Sequence, residues 1–511
     1  MLCYWPTTDP KAWDNLPQDI RDYIRYLRRY ITNLEQTEPQ QKITELENQI
    51  RRLQVELEDA QTVMARQQQT IQNLQQQLSD LKARLNQNSS NSSLPPSSDR
   101  FHVKRRPPQT ASGRPKGGQL HHRRRTRPLV PPEEVSQTIP CVPTVCRKCG
   151  HPLHGTDPEP LRHQVVELPP PVRPVVIEYQ LHRLTCPHCR KTTCAPLPEG
   201  VRGHYGPRLE GTLAVLAGGY RQSIRSVQVL AQTLWNLVLS TGMISKLRQQ
   251  TAEALKQPYE EVHQYLHHQN VNIDETGWRE GRKKGYLWLA VAKKAVYFQI
   301  ALGRSRRVAE EILGSDYKEV ATCDRLKSYW WIKRLQWCWS HLQRDFQAMI
   351  DRESAGRSVG KRLLRLSKKL FRIWHKYKAG QRSRKWFTAQ ISDLRRRVHR
   401  ALSAGVRCGC SPTAGTCGEL LAHESWLWTF TTVDGVEPTN NAGERAGRFA
   451  VLWRKVGGRS DGPPGSRFIE RIMTVVRTCR EQGKDVLAYV ESCCQAWRAG
   501  IPAPKLITDT S

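Results

Sequence analysis

Two short runs, Val271-Asn-Ile-Asp274 and Glu319-Val-Ala-Thr-Cys-Asp324, decide how this chain is to be read. Each is a β-prone stretch ending on an aspartate. Between them, Tyr286-Leu-Trp-Leu-Ala-Val-Ala292 and Ala295-Val-Tyr-Phe-Gln-Ile-Ala-Leu302 flank the basic turn Lys293-Lys294, which predicts a hairpin. A helix over Arg306–Leu313 then gives a β-β-β-α-β order up to Asp324. Gln336-Trp-Cys-Trp-Ser340 reads as a fifth strand, followed by a helix through Arg344, Phe346 and Ile350. A third carboxylate, Glu444, lies in Thr439-Asn-Asn-Ala-Gly-Glu-Arg-Ala446, where a helical pattern opens. Two aspartates at strand ends and a glutamate on a helix can converge on hard divalent ions from one face of a sheet. Spacing alone specifies little, since the chain holds 47 Asp and Glu residues.

The wording around the three acids narrows the choice. Asp274-Glu-Thr-Gly-Trp278, Cys323-Asp-Arg-Leu-Lys-Ser-Tyr329, Cys338-Trp-Ser-His-Leu-Gln-Arg-Asp-Phe346 and Glu437-Pro-Thr-Asn-Asn-Ala-Gly-Glu-Arg445 occur in that order. So does a block from Trp453-Arg-Lys-Val456 through Gly465-Ser-Arg-Phe-Ile-Glu-Arg-Ile472. Together they resemble the IS66-family transposases of bacterial insertion sequences. The resemblance implies a DDE transposase with an RNase H-like core, and Asp274, Asp324 and Glu444 as catalytic triad and metal ligands. It implies two Mg²⁺ (or Mn²⁺) ions, cleavage of DNA at the element's ends and strand transfer into target DNA, with accessory proteins of the same element as possible partners. One departure is Ala446-Gly-Arg-Phe449, where the family continues with Leu-Arg-Pro after Ala. Gly447 lowers helix propensity and is expected to weaken the helix carrying Glu444. Two rival readings remain at this level: a non-catalytic DNA-binding regulator, and a metal-dependent nuclease without strand transfer.

Charge points the same way. Eighty Lys and Arg against 47 Asp and Glu leave a net charge of +33 over 511 residues, which favours a polyanionic partner such as DNA. Aromatic residues make up 7%, so a stacking platform for single strands is not indicated. No apolar run approaches the roughly 20 residues of a membrane span. The first residues, Met-Leu-Cys-Tyr-Trp-Pro, lack the pattern of a signal peptide. Fifteen cysteines, several in metal-like pairs, suit a reducing cytoplasm, and DNA binding suits association with the nucleoid.

The N-terminal half reads as three devices. From Ile43 to Leu85 one apolar set runs Ile43, Ile50, Leu57, Met64, Ile71, Leu78, Leu85, and a second runs Leu46, Leu53, Ala60, Gln67, Leu74, Leu81. About six heptads predict a coiled coil that self-associates, with polar Gln67 at one core position. A Ser/Asn/Pro stretch, Asn86–Arg100, breaks this helix. Residues 101–127 then carry nine unopposed cations, among them Arg105, Arg106, Arg114, Arg123, Arg124 and Arg125, a flexible arm suited to phosphates. Finally, Cys146-Arg-Lys-Cys149 and Cys186-Pro-His-Cys189, with 36 residues between them, suit one structural Zn²⁺ held by four thiolates. The β-prone Val172–Leu181 between them predicts a zinc-ribbon-like module. Cys141, Cys194, His151 and His154 fall outside the paired spacing.

The fold class expected is therefore multidomain α+β: a coiled coil, a zinc-ribbon-like module, a helical domain and an RNase H-like α/β core with a helical insertion. The expected segments are 1–40; a coiled coil, 41–87; a basic linker, 88–140; a zinc module, 141–200; a helical domain, 201–269; the core, 270–350; an insertion, 351–430; the Glu-bearing part of the core, 431–485; and a tail, 486–511. The interval of 119 residues between Asp324 and Glu444 is what calls for the insertion. Cys408, Cys410, Cys417 and His423 match no firm metal pattern and are read as reduced structural residues. Glu275 should point away from Asp274, because adjacent strand residues face opposite sides. His341 follows the fifth strand, close to the acids or simply structural. Asn440 and Asn441 are read as helix caps or DNA contacts. Arg445, Arg448, Arg454, Lys455 and Arg467 are candidates for the DNA backbone.

Overall fold

A computed structural model describes residues 13, 16–34, 40–89, 91–92, 128–352 and 354–508. The basic arm 101–127, with Arg105, Arg106, Arg114, Arg123, Arg124 and Arg125, lies outside the described residues. The chain divides into two units, Met1–Gln87 and Asn88–Ser511.

The first unit holds helices α1 (Gln18–Leu34) and α2 (Gln40–Leu85). The 46 residues of α2 are continuous, as the heptad pattern requires. Its stripe is half-buried at Ile43, Leu46, Ile50, Leu53 and Leu57, and exposed at Met64, Ile71, Leu74, Leu78, Leu81 and Leu85.

The second unit begins with an open stretch. Residues 128–206 form a hairpin of β1 (Arg183–Thr185) and β2 (Thr192–Cys194) and a single 3₁₀ turn, Pro132–Glu134. The β-prone run Val172–Leu181 forms no strand. Val175 and Val176 are 91% and 88% exposed, so β-propensity here meets no partner strand and no core to pack on.

From Pro207 onward the chain is built around one buried apolar core. Four helices come first: α3 (Pro207–Gly218), α4 (Ile224–Trp235), α5 (Thr241–Ala254) and α6 (Lys256–Leu266). Ser223 and Ser240 cap α4 and α5 by accepting the backbone N–H of Ser226 and Met243. The sheet follows, with strands β3 (Val271–Glu280), β4 (Lys283–Val291), β5 (Val296–Ala301), β6 (Ala321–Cys323) and β7 (Leu335–Trp337). Its order is β5-β4-β3-β6-β7. The first three strands are antiparallel, and β6 and β7 run parallel to β3. Helix α7 (Arg306–Leu313) makes the crossover from β5 to β6.

Helix α8 (Trp339–Asp351) leaves β7, and three further helices, α9 (Arg357–Lys378), α10 (Arg384–Val406) and α11 (Ser411–Ala422), fill the long interval before Glu444. Their apolar faces pack inward at Leu363, Leu370, Phe387, Leu394 and Leu402. Helices α12 (Asn441–Gly457), α13 (Pro463–Glu481) and α14 (Val486–Ala499) close the fold. Residues 486–508 are thus packed on the body rather than forming a tail: Val490, Cys493 and Cys494 are wholly buried, and Arg498 forms a buried pair with Glu210 of α3 at 2.6 Å.

The free edge of β5 is sealed by side chains of α13. Glu470, Thr474 and Thr478 recur at helical spacing and accept the backbone N–H groups of Ile300, Phe298 and Val296 at 2.6, 3.0 and 3.1 Å. A buried strand edge must satisfy those donors, and one helix face does so.

Candidate active site

Asp274 lies on β3, directly opposite Leu289 of β4. Opposed residues in an antiparallel pair project to the same face. Leu289 marks that face, because its Cδ2 would stand 3.2 Å from a Cβ built on Gly447 of α12. Asp274 and α12 therefore share one side of the sheet. Gly447 lets the helix approach so closely, and α12 runs through it unbroken from Asn441 to Gly457. The expected weakening at Gly447 gives way to a packing role.

Asp324 follows β6. Val271 and Asn272 pair with Ala321 and Thr322 in parallel register, and continuing that register by two residues brings Asp324 beside Asp274. Asp324 Oδ1 accepts the Leu326 N–H at 2.8 Å, which fixes its carboxylate at the strand end. Glu444 stands in the first turn of α12. Burial raises the Asp274 carboxyl well above the usual range, followed by the charges of Glu275, Asp324 and, more weakly, Glu444. Asp274 is thus close enough to Asp324 and Glu444 to feel both charges, and a cation beside it would relieve that repulsion.

Asn440 ties the helix to the strand. It is wholly buried, and its Nδ2 donates to the Ile273 carbonyl at 3.0 Å, one residue before Asp274. Asn272 Nδ2 donates to the Thr439 carbonyl at 3.3 Å. Asn440 is the N-cap by position, yet its side chain makes no cap hydrogen bond. A Cβ at Gly443 would come within 2.6 Å of Asn440 Oδ1, so glycine there leaves the asparagine its place.

Glu275 faces the other way, as strand alternation requires. It pairs across the strands with Trp288, whose ring meets Tyr329 edge-on. The Tyr329 hydroxyl donates to Glu275 Oε2, and Arg304 Nε donates to Oε1 at 2.7 Å. Burial and then the charge of Asp324 raise the Glu275 carboxyl above its ordinary value.

Cys338 and His341 complete the surroundings. Among the described residues, the group of three or more His, Cys, Asp and Glu ligand atoms within 4.8 Å of one another is Cys338, His341 and Glu444. His341 Nε2 lies 3.9 Å from Glu444 Oε1, and its Nδ1 is buried without a partner, as is Glu444 Oε1. Burial, then the charge of Arg344, lowers the His341 imidazole below its ordinary value, which favours the neutral ring. Burial pushes the Cys338 thiol up to about 11, and its sulfur accepts the Asn440 N–H at 3.1 Å.

A model of the IS66 transposase family matches residues 208–467, from the first turn of α3 to the start of α13. The chain belongs to the IS66 transposase family. The match spans all three carboxylates. A second model, for a family of unknown function (DUF6444), matches residues 33–128. No curated protein gives a significant match.

The other residues singled out in this transposase fall in different settings. Arg445, Arg448 and Lys455 are exposed on α12, whereas Arg454 NH1 donates to the Gly277 carbonyl of β3. The two cysteine pairs form matching turns. Cys146 N–H donates to the His151 carbonyl and Cys186 N–H to the Lys191 carbonyl, each at 2.9 Å. The Cys146 thiol is lowered by the backbone N–H of Cys149 and then of Lys148, and the Cys186 thiol by those of Cys189 and then His188. Such amides stabilise thiolate sulfur, the form that binds zinc. Among the described residues, no three of these four thiols lie within 4.8 Å of one another.

Sequence reading weighed His341 but missed Cys338 and the tethering role of Asn440. It also missed Arg325, which bonds Glu419 of α11 at 2.6 Å and Asp345 of α8 at 3.1 Å, joining the insertion to the loop after Asp324. The motifs Cys-Asp-Arg, Cys-Trp-Ser-His and Pro-Thr-Asn-Asn hold these residues, but no local pattern says what they touch. Among the described residues, no helix is long and apolar enough to cross a membrane.

Proposed function

We propose that this chain is a DDE transposase that cleaves DNA at its element's ends and joins the freed ends to target DNA. The observation that carries this is the convergence of Asp274, Asp324 and Glu444 on one side of a five-stranded mixed sheet, which supports an RNase H-like reading of the core. The donor set fits hard divalent cations: three carboxylates, mutual repulsion at Asp274 and an unpartnered buried oxygen on Glu444. Asp274, Asp324 and Glu444 would hold two Mg²⁺ or Mn²⁺ ions, which when bound supply charge neutralisation at phosphoryl oxygens and a more acidic water.

The chain's own residues do the rest. Asn440 holds Glu444 in register with Asp274, and Arg445 and Arg448 offer guanidinium groups to the phosphates of the bound strand. Neutral His341 can accept a proton from water. In the first step water oxygen bonds to phosphorus and the bond to the 3′-oxygen breaks, leaving a 3′-hydroxyl and a 5′-phosphate. In the second step that 3′-hydroxyl bonds to a target phosphorus, and the target's own 3′-oxygen departs.

The α2 stripe supports self-association, so that two ends are handled together, and the arm 101–127 supports DNA contact. Cys146, Cys149, Cys186 and Cys189 would hold one structural Zn²⁺. The test is Mg²⁺-dependent cleavage and joining on duplexes bearing the element's ends. Asp274→Ala and Asp324→Ala are expected to lose both reactions by about 1000-fold, ~4 kcal/mol, with duplex binding kept. Unchanged joining by Glu444→Ala would remove that residue from the reading.

A further inference from the structure

A cavity of about 490 Å³ opens at the far end of α12 from Glu444. Its walls come from the first turn of α4, the middle of α5, the end of α12 and the loop Gly458–Gly462 leading into α13. Three arginines line it, Arg225, Arg248 and Arg459, against one acid, Asp461, with Trp453 and Phe468 as the apolar floor. The positive end of α4 adds to the same field.

Arg248 is the informative member. Its guanidinium stacks over the Phe468 ring at 4.2 Å, and its Nε is buried with no hydrogen-bond partner. Burial lowers its pKa to about 10, with Asp461 acting only in the opposite direction. A cation held this way costs stability unless an anion meets it.

We infer that this cavity binds a phosphate group, that of a DNA strand running from the carboxylate cluster or that of a free nucleotide. For the DNA source the inference rests on the active-site reading above. Nine to thirteen residues of α12 separate Glu444 from Trp453 and Gly457, roughly 14–20 Å of helix. At about 3.4 Å per nucleotide, the phosphate held here lies roughly four to six nucleotides from the bond cut.

The test uses full-length protein and a mixed-sequence duplex titrated with KCl. For the DNA source, Arg248→Met is expected to reduce the slope of log K against log[salt] by about one, with Ser245→Asp doing the same by placing an acid in the cavity. For the free source, inorganic phosphate or a deoxynucleoside monophosphate at constant ionic strength raises the melting temperature of the wild type but not of Arg248→Met. Unchanged slopes in both variants together with no protection by either anion overturn the proposal. A melting temperature that falls in Arg248→Met with neither effect identifies a structural arginine and also overturns it. Asp274→Ala separates the two readings, since it is expected to keep the full salt slope while losing cleavage. Cleavage surviving in Asp274→Ala would refute the active-site reading and leave the anion test standing.

Discussion

The stretch 128–206 and the body 207–508 are ordered by opposite means. In the first, side chain after side chain is exposed, including Leu161, Val165, Leu168, Val175 and Val176, and the regular features are two cysteine turns, one 3₁₀ turn and a hairpin of three-residue strands. In the second, whole tryptophans vanish from solvent and even strand-edge amides find side-chain partners. A segment that buries so little apolar surface cannot offset its conformational entropy by packing. Zinc on the two cysteine turns, as proposed above, would supply the order that packing does not, whereas the body carries its own.

The largest effect should come from removing that ion. A zinc-specific chelator is expected to open residues 141–200 to protease while the main melting transition stays in place. Structural zinc is worth about 10–16 kcal/mol in small sites. Simultaneous loss of both regions would mean that they share one source of order. Next is the body's own buried charge: Arg498→Ala leaves Glu210 unpaired and should cost about 3–5 kcal/mol in denaturant unfolding, with zinc content unchanged. A smaller effect is due at the strand edge. Thr474→Val deprives the Phe298 N–H of its acceptor, and a loss of about 1–3 kcal/mol is expected in chemical denaturation.

The mildest test is pH. Burial raises the Glu470 carboxyl from its ordinary 4.5 to about 7 in the folded body. A raised acid contributes stability that is full below the unfolded value and is lost as pH climbs through about 7. Wild-type melting should fall between pH 5 and pH 8 relative to Glu470→Gln, whose side-chain oxygen can still accept the Ile300 N–H. The difference should be a few degrees, about 2–4 °C for a body of this size. A constant difference across that range would show that Glu470 does not titrate there.

Much of the body was legible because its signals are local. The five strands, the crossover helix and the basic helical interval all announce themselves through apolar runs and periodicity, although the fifth strand, expected through Ser340, ends at Trp337, and Trp339 already opens α8. Val172–Leu181 misled for the same reason: its β-prone residues state a preference that only a partner strand can satisfy. Gly447 misled in the other direction, because propensity counts its entropic cost and cannot see Leu289 waiting on β4. The segment 486–508 lacked any strong motif, so the burial of α14 against α3 was invisible until the chain was folded.

The sequence by itself determined the family, the acids worth watching, the cysteine turns and the long helix α2. These follow from residue identity, spacing and period, which need no knowledge of distant neighbours. Only the tertiary structure decided that Asp274, Asp324 and Glu444 share one side of the sheet, that Asn440 and Gly447 seat the helix there, and that Arg248 lines an arginine-rich cavity. Those contacts join residues far apart in the chain, and their chemistry depends on burial and proximity, which packing alone creates.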